Sequence, residues 1–166
     1  MKISINNIDA FIFDFDGVLT NNLVYLDQHG TESVSCSRAD GLAFEVLRKL
    51  NIPTYILSTE LNPVVTARAK KLKIPVLQGL NNKASALKSL AKEQNYNMDR
   101  ILYIGNDLND YYAIKICGFS VCPADSHQAI KDIVDIILKT SGGMGVAREL
   151  LEDVLALNLI KILYNN

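Results

Sequence analysis

The stretch Ala10-Phe11-Ile12-Phe13-Asp14-Phe15-Asp16 (residues 10–16) decides the fold, because a short apolar run ends abruptly at two carboxylates. Apolar runs bounded by turn residues are typical of strands buried on both faces of a parallel sheet. The pattern recurs clearly at residues 53–58 and 100–107, and more weakly at 74–78, 119–122 and 134–138. Each of these stretches is therefore predicted to be a strand.

Helical patterns fill the intervals between these runs. Asp40 is predicted to cap a helix whose apolar residues recur every three or four positions, and further helices are predicted to start at Asn62, Asn82 and Leu108. Gly118 ends the last of these. Strands that alternate with helices indicate an α/β, Rossmann-like fold, in which a mostly parallel sheet is flanked by helices.

Residues 22–37 break this rhythm, because they have no helical period and contain a turn around Gly30. They are predicted to form a β-hairpin inserted directly after the first strand. A lone hairpin is marginally stable in water, so we expect it to pack against something, for example another subunit. The glycine-rich segment 141–145 precedes an apolar helix that ends near residue 158, and the segment is either a mobile lid or arm, or a simple loop.

The bulk composition restricts the class of protein. The 166 residues match one domain (1–166), and no linker to a second domain is visible. A net charge of −1 argues against a nucleic-acid partner, and three scattered cysteines do not form a disulfide framework. Neither a signal-peptide pattern nor an apolar run of ~20 residues is present, so we expect a cytoplasmic protein without a membrane partner.

Polar side chains follow several of the predicted strands. In an open parallel sheet, ligands bind at the carboxyl ends of the strands. We therefore expect four carboxylates, a hydroxyl and a lysine to converge on one edge of the sheet. These candidates are Asp14, Asp16, Ser58, Thr59, Lys83, Asp107 and Asp110.

Grouped carboxylates repel one another and need a cation, and a site of hard oxygen ligands suits Mg²⁺. A carboxylate such as Asp14 can also attack phosphorus, while Asp16 can serve as general acid and then as general base. Lys83 and the hydroxyls would surround the charged phosphoryl group. Each residue alone could be a helix cap or a solvated side chain. Their combination, all at strand ends, favours an active site.

The same residues resemble the four motifs of phosphatases of the haloacid dehalogenase superfamily. Residues 14–20 resemble the first motif, Ser58 or Thr59 the second, Lys83 the third and residues 105–110 the fourth. The resemblance implies that Asp14 is the nucleophile and Asp16 the acid/base, and that Ser58 or Thr59 and Lys83 bind the phosphoryl oxygens. It further implies that Asp14, the main-chain carbonyl of Asp16 and Asp107 hold Mg²⁺, with Asp110 in support.

Within that superfamily, the chain is similar to the capless group of 3-deoxy-octulosonate 8-phosphate phosphatases. The likeness includes the small size, the hairpin after the first motif, residues 78–83 and the glycine-rich residues 142–145. This resemblance implies a homotetramer in which the hairpins associate and a neighbouring subunit helps to close the active site.

Residues 58–63 depart from the Thr-Gly-Arg type of sequence typical of that group. With Arg68 and Lys71, they look more like the phosphatases of 2-keto-3-deoxynononate 9-phosphate and the related modules of sialic-acid cytidylyltransferases. That likeness implies that Glu60 and Lys71 orient a sugar acid, and that Arg68 does so from an adjoining subunit. The alternative without a binding role is that Arg68, Lys70 and Lys71 form a solvated helix face.

We therefore expect a Mg²⁺-dependent phosphatase of a small sugar-acid phosphate, with the nine-carbon nononate ahead of the eight-carbon octulosonate. One alternative is a non-catalytic tetramerisation module, which the complete set of catalytic residues disfavours. Another is a phosphomutase, which would need a larger cap over the site than the hairpin between Asp16 and Asp40 supplies.

Overall fold

The computed structural model describes residues 3–164 and contains a six-stranded parallel sheet flanked by helices. The strands are β1 (Ala10–Phe13), β2 (Tyr25–Leu26), β3 (Glu32–Ser33), β4 (Thr54–Leu57), β5 (Val76–Leu77), β6 (Ile101–Ile104), β7 (Phe119–Cys122) and β8 (Ile136–Ile137). The helices are α1 (Arg38–Lys49), α2 (Val64–Leu72), α3 (Lys83–Gln94), α4 (Tyr111–Ile114), α5 (Gln128–Lys131), α6 (Val146–Glu149) and α7 (Leu159–Tyr164). The order β5-β4-β1-β6-β7-β8 confirms the predicted Rossmann-like fold.

Strand β1 lies in the middle of the sheet, and its register sets the position of the candidate site. Phe13 is level with Ile56 of β4 on one side and with Ile104 of β6 on the other. All three strands run in the same direction, so the residues that follow them emerge together at one edge. Asp14 therefore starts its loop beside the loops that leave β4 and β6.

Two apolar layers cover the sheet, because successive side chains of a strand point to opposite faces. Phe13 packs on one face against Phe44 of α1, with ring centroids 5.0 Å apart. Ile12 and Tyr103 belong to the opposite layer, together with Leu87 of α3. All of these side chains are fully buried, so the central strands are held rigidly on both faces.

The predicted hairpin is present as the antiparallel pair β2 and β3, and Gly30 in its turn has a φ of +80°. Its first arm carries Leu23, Val24, Tyr25 and Leu26, each more than half exposed. Within residues 3–164, nothing covers this apolar face. Exposed apolar patches of this kind mark interaction surfaces.

Three helical predictions need correction. Ser37, not Asp40, caps α1, since the Ser37 hydroxyl accepts a hydrogen bond from the Ala39 amide at 3.2 Å. The helix expected from Leu108 begins as a 3₁₀ turn (Leu108–Asp110) and continues as the short α4, because the Asp110 carboxylate turns back toward the preceding loop. The terminal helix starts as α6 and becomes a π-helix over Leu150–Val154.

The helices within residues 3–164 are all too short or too polar to cross a lipid bilayer.

Candidate active site

Asp14, the first residue after β1, is buried with 3% of its surface exposed and forms an ion pair with Lys83. The Lys83 ammonium donates to Asp14 Oδ1 at 2.6 Å, and the Phe15 amide donates to the same oxygen at 2.6 Å. Burial raises the pKa of Asp14 and the nearby charge of Asp110 adds to this, whereas Lys83 lowers it. The carboxylate is thus fixed in orientation by two donors.

Asp110 completes the network around the lysine. Its Oδ1 accepts hydrogen bonds from Lys83 Nζ and from the Tyr103 hydroxyl, both at 2.7 Å. Its Oδ2 accepts from the main-chain amide of Asn106 at 2.9 Å. Burial lowers the pKa of Lys83, but the charges of Asp14 and Asp110 outweigh this effect and the pKa is raised overall. Lys83 is therefore a charged group held between two carboxylates.

The loop after β6 contacts the loop after β1 through Asn106. With its amide nitrogen turned toward that loop, Asn106 donates to the main-chain oxygen of Asp16 at 2.8 Å and to Asp14 Oδ2 at 3.2 Å. A side chain at Gly17 would collide with this amide group, since its Cβ would lie 2.7 Å from the Asn106 Cγ. The contact fixes the position of the Asp16 carbonyl relative to the Asp14 carboxylate.

Asp16 is half-buried and interacts electrostatically with the negative charge of Glu60. Burial raises the pKa of Asp16, the Glu60 charge raises it further, and Lys83 opposes both. A raised pKa keeps a carboxyl group protonated closer to neutral pH, which suits a general acid. Glu60 itself is oriented by the amides of Leu61 and Asn62, which donate to its Oε1 at 2.7 and 2.8 Å.

The two hydroxyls after β4 have different surroundings. Ser58 is buried, and its Oγ accepts a hydrogen bond from the Glu60 amide at 3.0 Å. Thr59 is exposed to the cavity beside Asp14, where its hydroxyl accepts from the Asn109 side chain at 3.3 Å. In this state, Thr59 is the hydroxyl that lines the cavity, and Ser58 shapes the turn beneath it.

One cavity of about 280 Å³ brings together four of the seven candidates predicted at the strand ends, whereas Ser58, Lys83 and Asp110 do not line it. It is lined by Asp14, Asp16, Asn22, Thr59, Asp107, Leu108 and Asn109. Asp107 is exposed in it, and its Oδ1 accepts a hydrogen bond from the Leu108 amide at 2.7 Å.

The donors around this cavity fit a Mg²⁺ ion. The carboxylates of Asp14, Asp16 and Asp107 and the Asp16 carbonyl are all hard oxygen donors, the type that Mg²⁺ prefers. In the described part of the chain, no three His, Cys, Asp or Glu side chains are already gathered at ion-binding distance. A site made of two carboxylates and a main-chain carbonyl does not require such a group.

Two candidate sugar-acid residues lie outside the cavity at Asp14. Arg68 donates to the Ser37 carbonyl at 2.7 Å and, with Lys71, lines a second cavity of about 280 Å³. That cavity also contains Arg38 and Arg48, and it shares no lining residue with the cavity at Asp14. Glu60 is the only one of the three predicted sugar-acid residues, all within residues 3–164, whose charge acts on Asp16.

Sequence reasoning missed several residues of the site. Asn106 belongs to the fourth motif, residues 105–110, in which the sequence assigned it no role; its position before Asp107 is the available signal. Tyr103 was counted only as part of an apolar strand, and no pattern revealed that its hydroxyl reaches Asp110. Asn22 and Asn109 also line the cavity, and their positions in the sequence follow no pattern that would indicate a site.

Comparison with known proteins gives concordant results. The sequence profile of the haloacid dehalogenase-like hydrolases matches residues 51–150. A 3-deoxy-D-manno-octulosonate 8-phosphate phosphatase from Haemophilus influenzae is 33% identical over 156 residues, which are 93% of this chain and 87% of that protein.

Solved structures agree with the sequence matches. A protein from Streptomyces avermitilis, described as a HAD family hydrolase, superposes with a TM-score of 0.92 and 42% identity, over 96% of this chain and 91% of the other. The octulosonate 8-phosphate phosphatase of Moraxella catarrhalis, solved with magnesium, phosphate and KDO, gives a TM-score of 0.85 and 29% identity, over 94% and 87% of the two chains.

Proposed function

This chain belongs to the haloacid dehalogenase-like hydrolases and is a phosphoric monoester hydrolase, and from that premise we propose that it acts through a phosphorylated Asp14. The observation that supports this most directly is the buried Asp14 carboxylate, held by Lys83 and the Phe15 amide beside the cavity. The octulosonate activity, which the sequence placed second, has the support of the similar phosphatases, and the nononate activity, which the sequence placed first, has the support of Glu60.

The proposed reaction has two steps. The Asp14 carboxylate attacks phosphorus, the bond from phosphorus to the ester oxygen breaks, and Asp16 gives its proton to the leaving alcohol. Asp16, now a carboxylate, then removes a proton from water, which attacks the phosphorus and releases inorganic phosphate from Asp14. Lys83 and Thr59 would bind the phosphoryl oxygens, and Ser58 would do so if its turn opens.

Asp14, the main-chain carbonyl of Asp16 and Asp107 would hold Mg²⁺, and Asp110 would support the site through Lys83 and the loop amides. Bound there, the ion would offset the negative charge of the carboxylates and of the phosphoryl group.

Removal of the divalent ion is expected to stop turnover, because adjacent carboxylates would then repel the phosphoryl group. Mg²⁺ at about 100 times its Kd should also raise the free energy of unfolding by about 2.7 kcal/mol, since only the folded chain presents the site. Chemical denaturation with and without Mg²⁺ measures this increase. Asp107→Asn should reduce it strongly. Full activity in excess chelator would contradict the metal assignment.

The proposed substrate is a 3-deoxy-2-keto sugar-acid phosphate, with 3-deoxy-D-manno-octulosonate 8-phosphate first. Support comes from the relatives of that name, at 33% identity for the Haemophilus protein. The nine-carbon nononate 9-phosphate is the second candidate, supported by Glu60, whose Oε1 is held by two amides and whose charge reaches Asp16. Measuring kcat/KM for both sugar-acid phosphates, with p-nitrophenyl phosphate as a reference substrate, would show which of the two candidates is preferred.

Glu60→Ala is expected to lower kcat/KM for the preferred sugar acid about tenfold or more, the effect of losing a hydrogen bond to a charged group. Turnover of p-nitrophenyl phosphate, which has no sugar hydroxyls, should change less than about twofold. Glu93→Ala, at an exposed position of α3, is the matched control. Equal losses on the two substrates would show that Glu60 does not contact the sugar.

A homotetramer would give the exposed hairpin a partner. The apolar residues Leu23 to Leu26 supply a surface suited to association. Arg68 and Lys71 line a separate cavity in their own protomer, so any contact with the sugar acid would be made in the site of a neighbouring copy. Sedimentation of wild type and of Leu26→Glu tests the assembly, and an unchanged oligomer in the variant would contradict it.

A further inference from the structure

A glycine-rich segment, residues 141–145, packs directly on the loop that follows Asp16, and we call it the glycine strap. The Gly143 amide donates to the Val18 carbonyl at 2.9 Å. A Cβ at Gly142 would lie 2.2 Å from the Gly17 carbonyl oxygen. Only glycine allows such a close approach, and Gly143 also has a φ of +70°. The strap is thus in van der Waals contact with the active-site loop.

That loop, residues 17–22, connects two residues that line the cavity. It begins immediately after Asp16 and ends at Asn22. Inside it, the buried Thr20 hydroxyl accepts hydrogen bonds from the amides of Gly17 and Asn22, at 3.1 and 3.2 Å. A shift of the strap would therefore move a hydrogen-bonded loop as a unit, together with the side chains at its two ends.

Carboxylates hold the strap at both ends. Before it, Glu149 accepts from the amides of Lys139 and Thr140 at 2.9 and 2.8 Å. At its start, Asp125 accepts from the Gly142 amide at 2.9 Å. After it, Gly145 occupies the N-cap position of α6 and offers no side chain to cap the helix. The cap comes instead from Asp40.

Asp40 lies on α1 and is only 1% exposed. Its Oδ1 accepts from the amides of Ala147 at 2.9 Å and Arg148 at 3.3 Å. Its Oδ2 is buried and has no hydrogen-bond partner among residues 3–164. A buried carboxyl group with an unpaired oxygen is costly. Since Ser37 already caps α1, capping of that helix does not explain why the Asp40 carboxyl group is buried.

We propose that Asp40 is a positioning residue, which holds the glycine strap against residues 17–22 by capping α6 and so keeps Asp16 in place for proton transfer. The proposal rests on the proposed role of Asp16. Asp40 touches no reacting atom, so its removal is expected to affect kcat more than KM. Misplacement of a catalytic group by 1 Å can cost about 100-fold, and a partial release of the strap should cost about tenfold.

The test uses four variants of the full chain with p-nitrophenyl phosphate as substrate. Asp40→Ala removes the cap, and Asp40→Asn keeps an oxygen that can accept from the same amides. Asp125→Ala, at an exposed residue, releases the other end of the strap without disturbing the core. Asn97→Ala removes an exposed cap of the 3₁₀ turn Met98–Arg100 and is the matched control for cap loss alone.

Asp40→Ala and Asp125→Ala are expected to lower kcat about tenfold with KM within about twofold. Hydrogen exchange at the Gly142 and Gly143 amides should become faster in both variants. Asp40→Asn should recover most of the lost kcat, and Asn97→Ala should leave kcat unchanged. If Asp40→Ala fails to fold, Asp125→Ala and Asp40→Asn still decide the question.

Normal kcat in Asp125→Ala despite faster strap exchange would overturn the proposal, and so would an Asp40→Asn variant as slow as Asp40→Ala. Failure of the proposed function is visible separately, as absence of turnover in the unaltered enzyme. The kcat values of the variants relative to wild type test the positioning role of Asp40, and the turnover of wild type tests the proposed phosphatase activity.

Discussion

Asp14→Asn is expected to lower kcat by at least about four orders of magnitude, because a neutral amide cannot attack phosphorus to form the aspartyl-phosphate. The fold should survive, because Lys83 stays paired with Asp110 at 2.7 Å, and because burial raises the pKa of Asp14, so that an amide of similar shape avoids the cost of a buried charge. We expect a free energy of unfolding within about 1 kcal/mol of wild type. Steady-state kinetics and chemical denaturation of the same preparations measure both quantities.

Asp132→Asn provides the matched control, because it makes the same chemical change at an exposed position, the residue that follows the last turn of α5. Its turnover should equal that of wild type. An Asp14→Asn enzyme with more than a few per cent of the wild-type kcat would remove Asp14 from the role of nucleophile.

Lys83→Met is expected to damage both turnover and stability. The change leaves the carboxylates of Asp14 and Asp110 buried without the cation that bridges them at 2.6 and 2.7 Å. Breaking a buried pair in this way typically costs about 3–5 kcal/mol. Loss of a donor to the phosphoryl group should lower kcat by about 100- to 1,000-fold. Denaturation curves and kcat at saturating Mg²⁺ give the two numbers.

Lys88→Met is the control for this experiment, since Lys88 lies on the same helix with an exposed side chain. It should retain wild-type kcat and lose less than about 0.5 kcal/mol of stability. If Lys83→Met were as stable and as active as Lys88→Met, the network around Lys83 would have no energetic importance.

Local patterns were sufficient for most of the fold. The central strands β1 and β6 are buried along their whole length and contain only apolar or aromatic residues, and the other four strands are also mostly apolar, so all six were visible as short runs that stop at polar residues. The hairpin was visible because its residues lack a helical period and contain Gly30. The gathering of Asp14 and Asp107 in one cavity followed from the rule that parallel strands end at a common edge.

The wrong prediction for Asp40 has a physical cause. An aspartate at the start of a helix usually caps that same helix. Asp40 instead accepts hydrogen bonds from amides that lie 107 and 108 residues further along the chain. No periodicity encodes a partner at such a distance. The spacing of Arg68 and Lys71 likewise indicated a helix face without revealing which cavity that face lines.

The most direct test of the mechanism is to trap the phosphoryl group on Asp14. Asp16→Asn, mixed with p-nitrophenyl phosphate and Mg²⁺, should form the intermediate, because this leaving group needs no acid, and should hydrolyse it slowly without the base. Acid quenching and peptide mass spectrometry should then find one phosphoryl group on the peptide that contains Asp14. A burst of p-nitrophenolate with no phosphorylated Asp14 peptide, or with the label on another residue, would contradict the account.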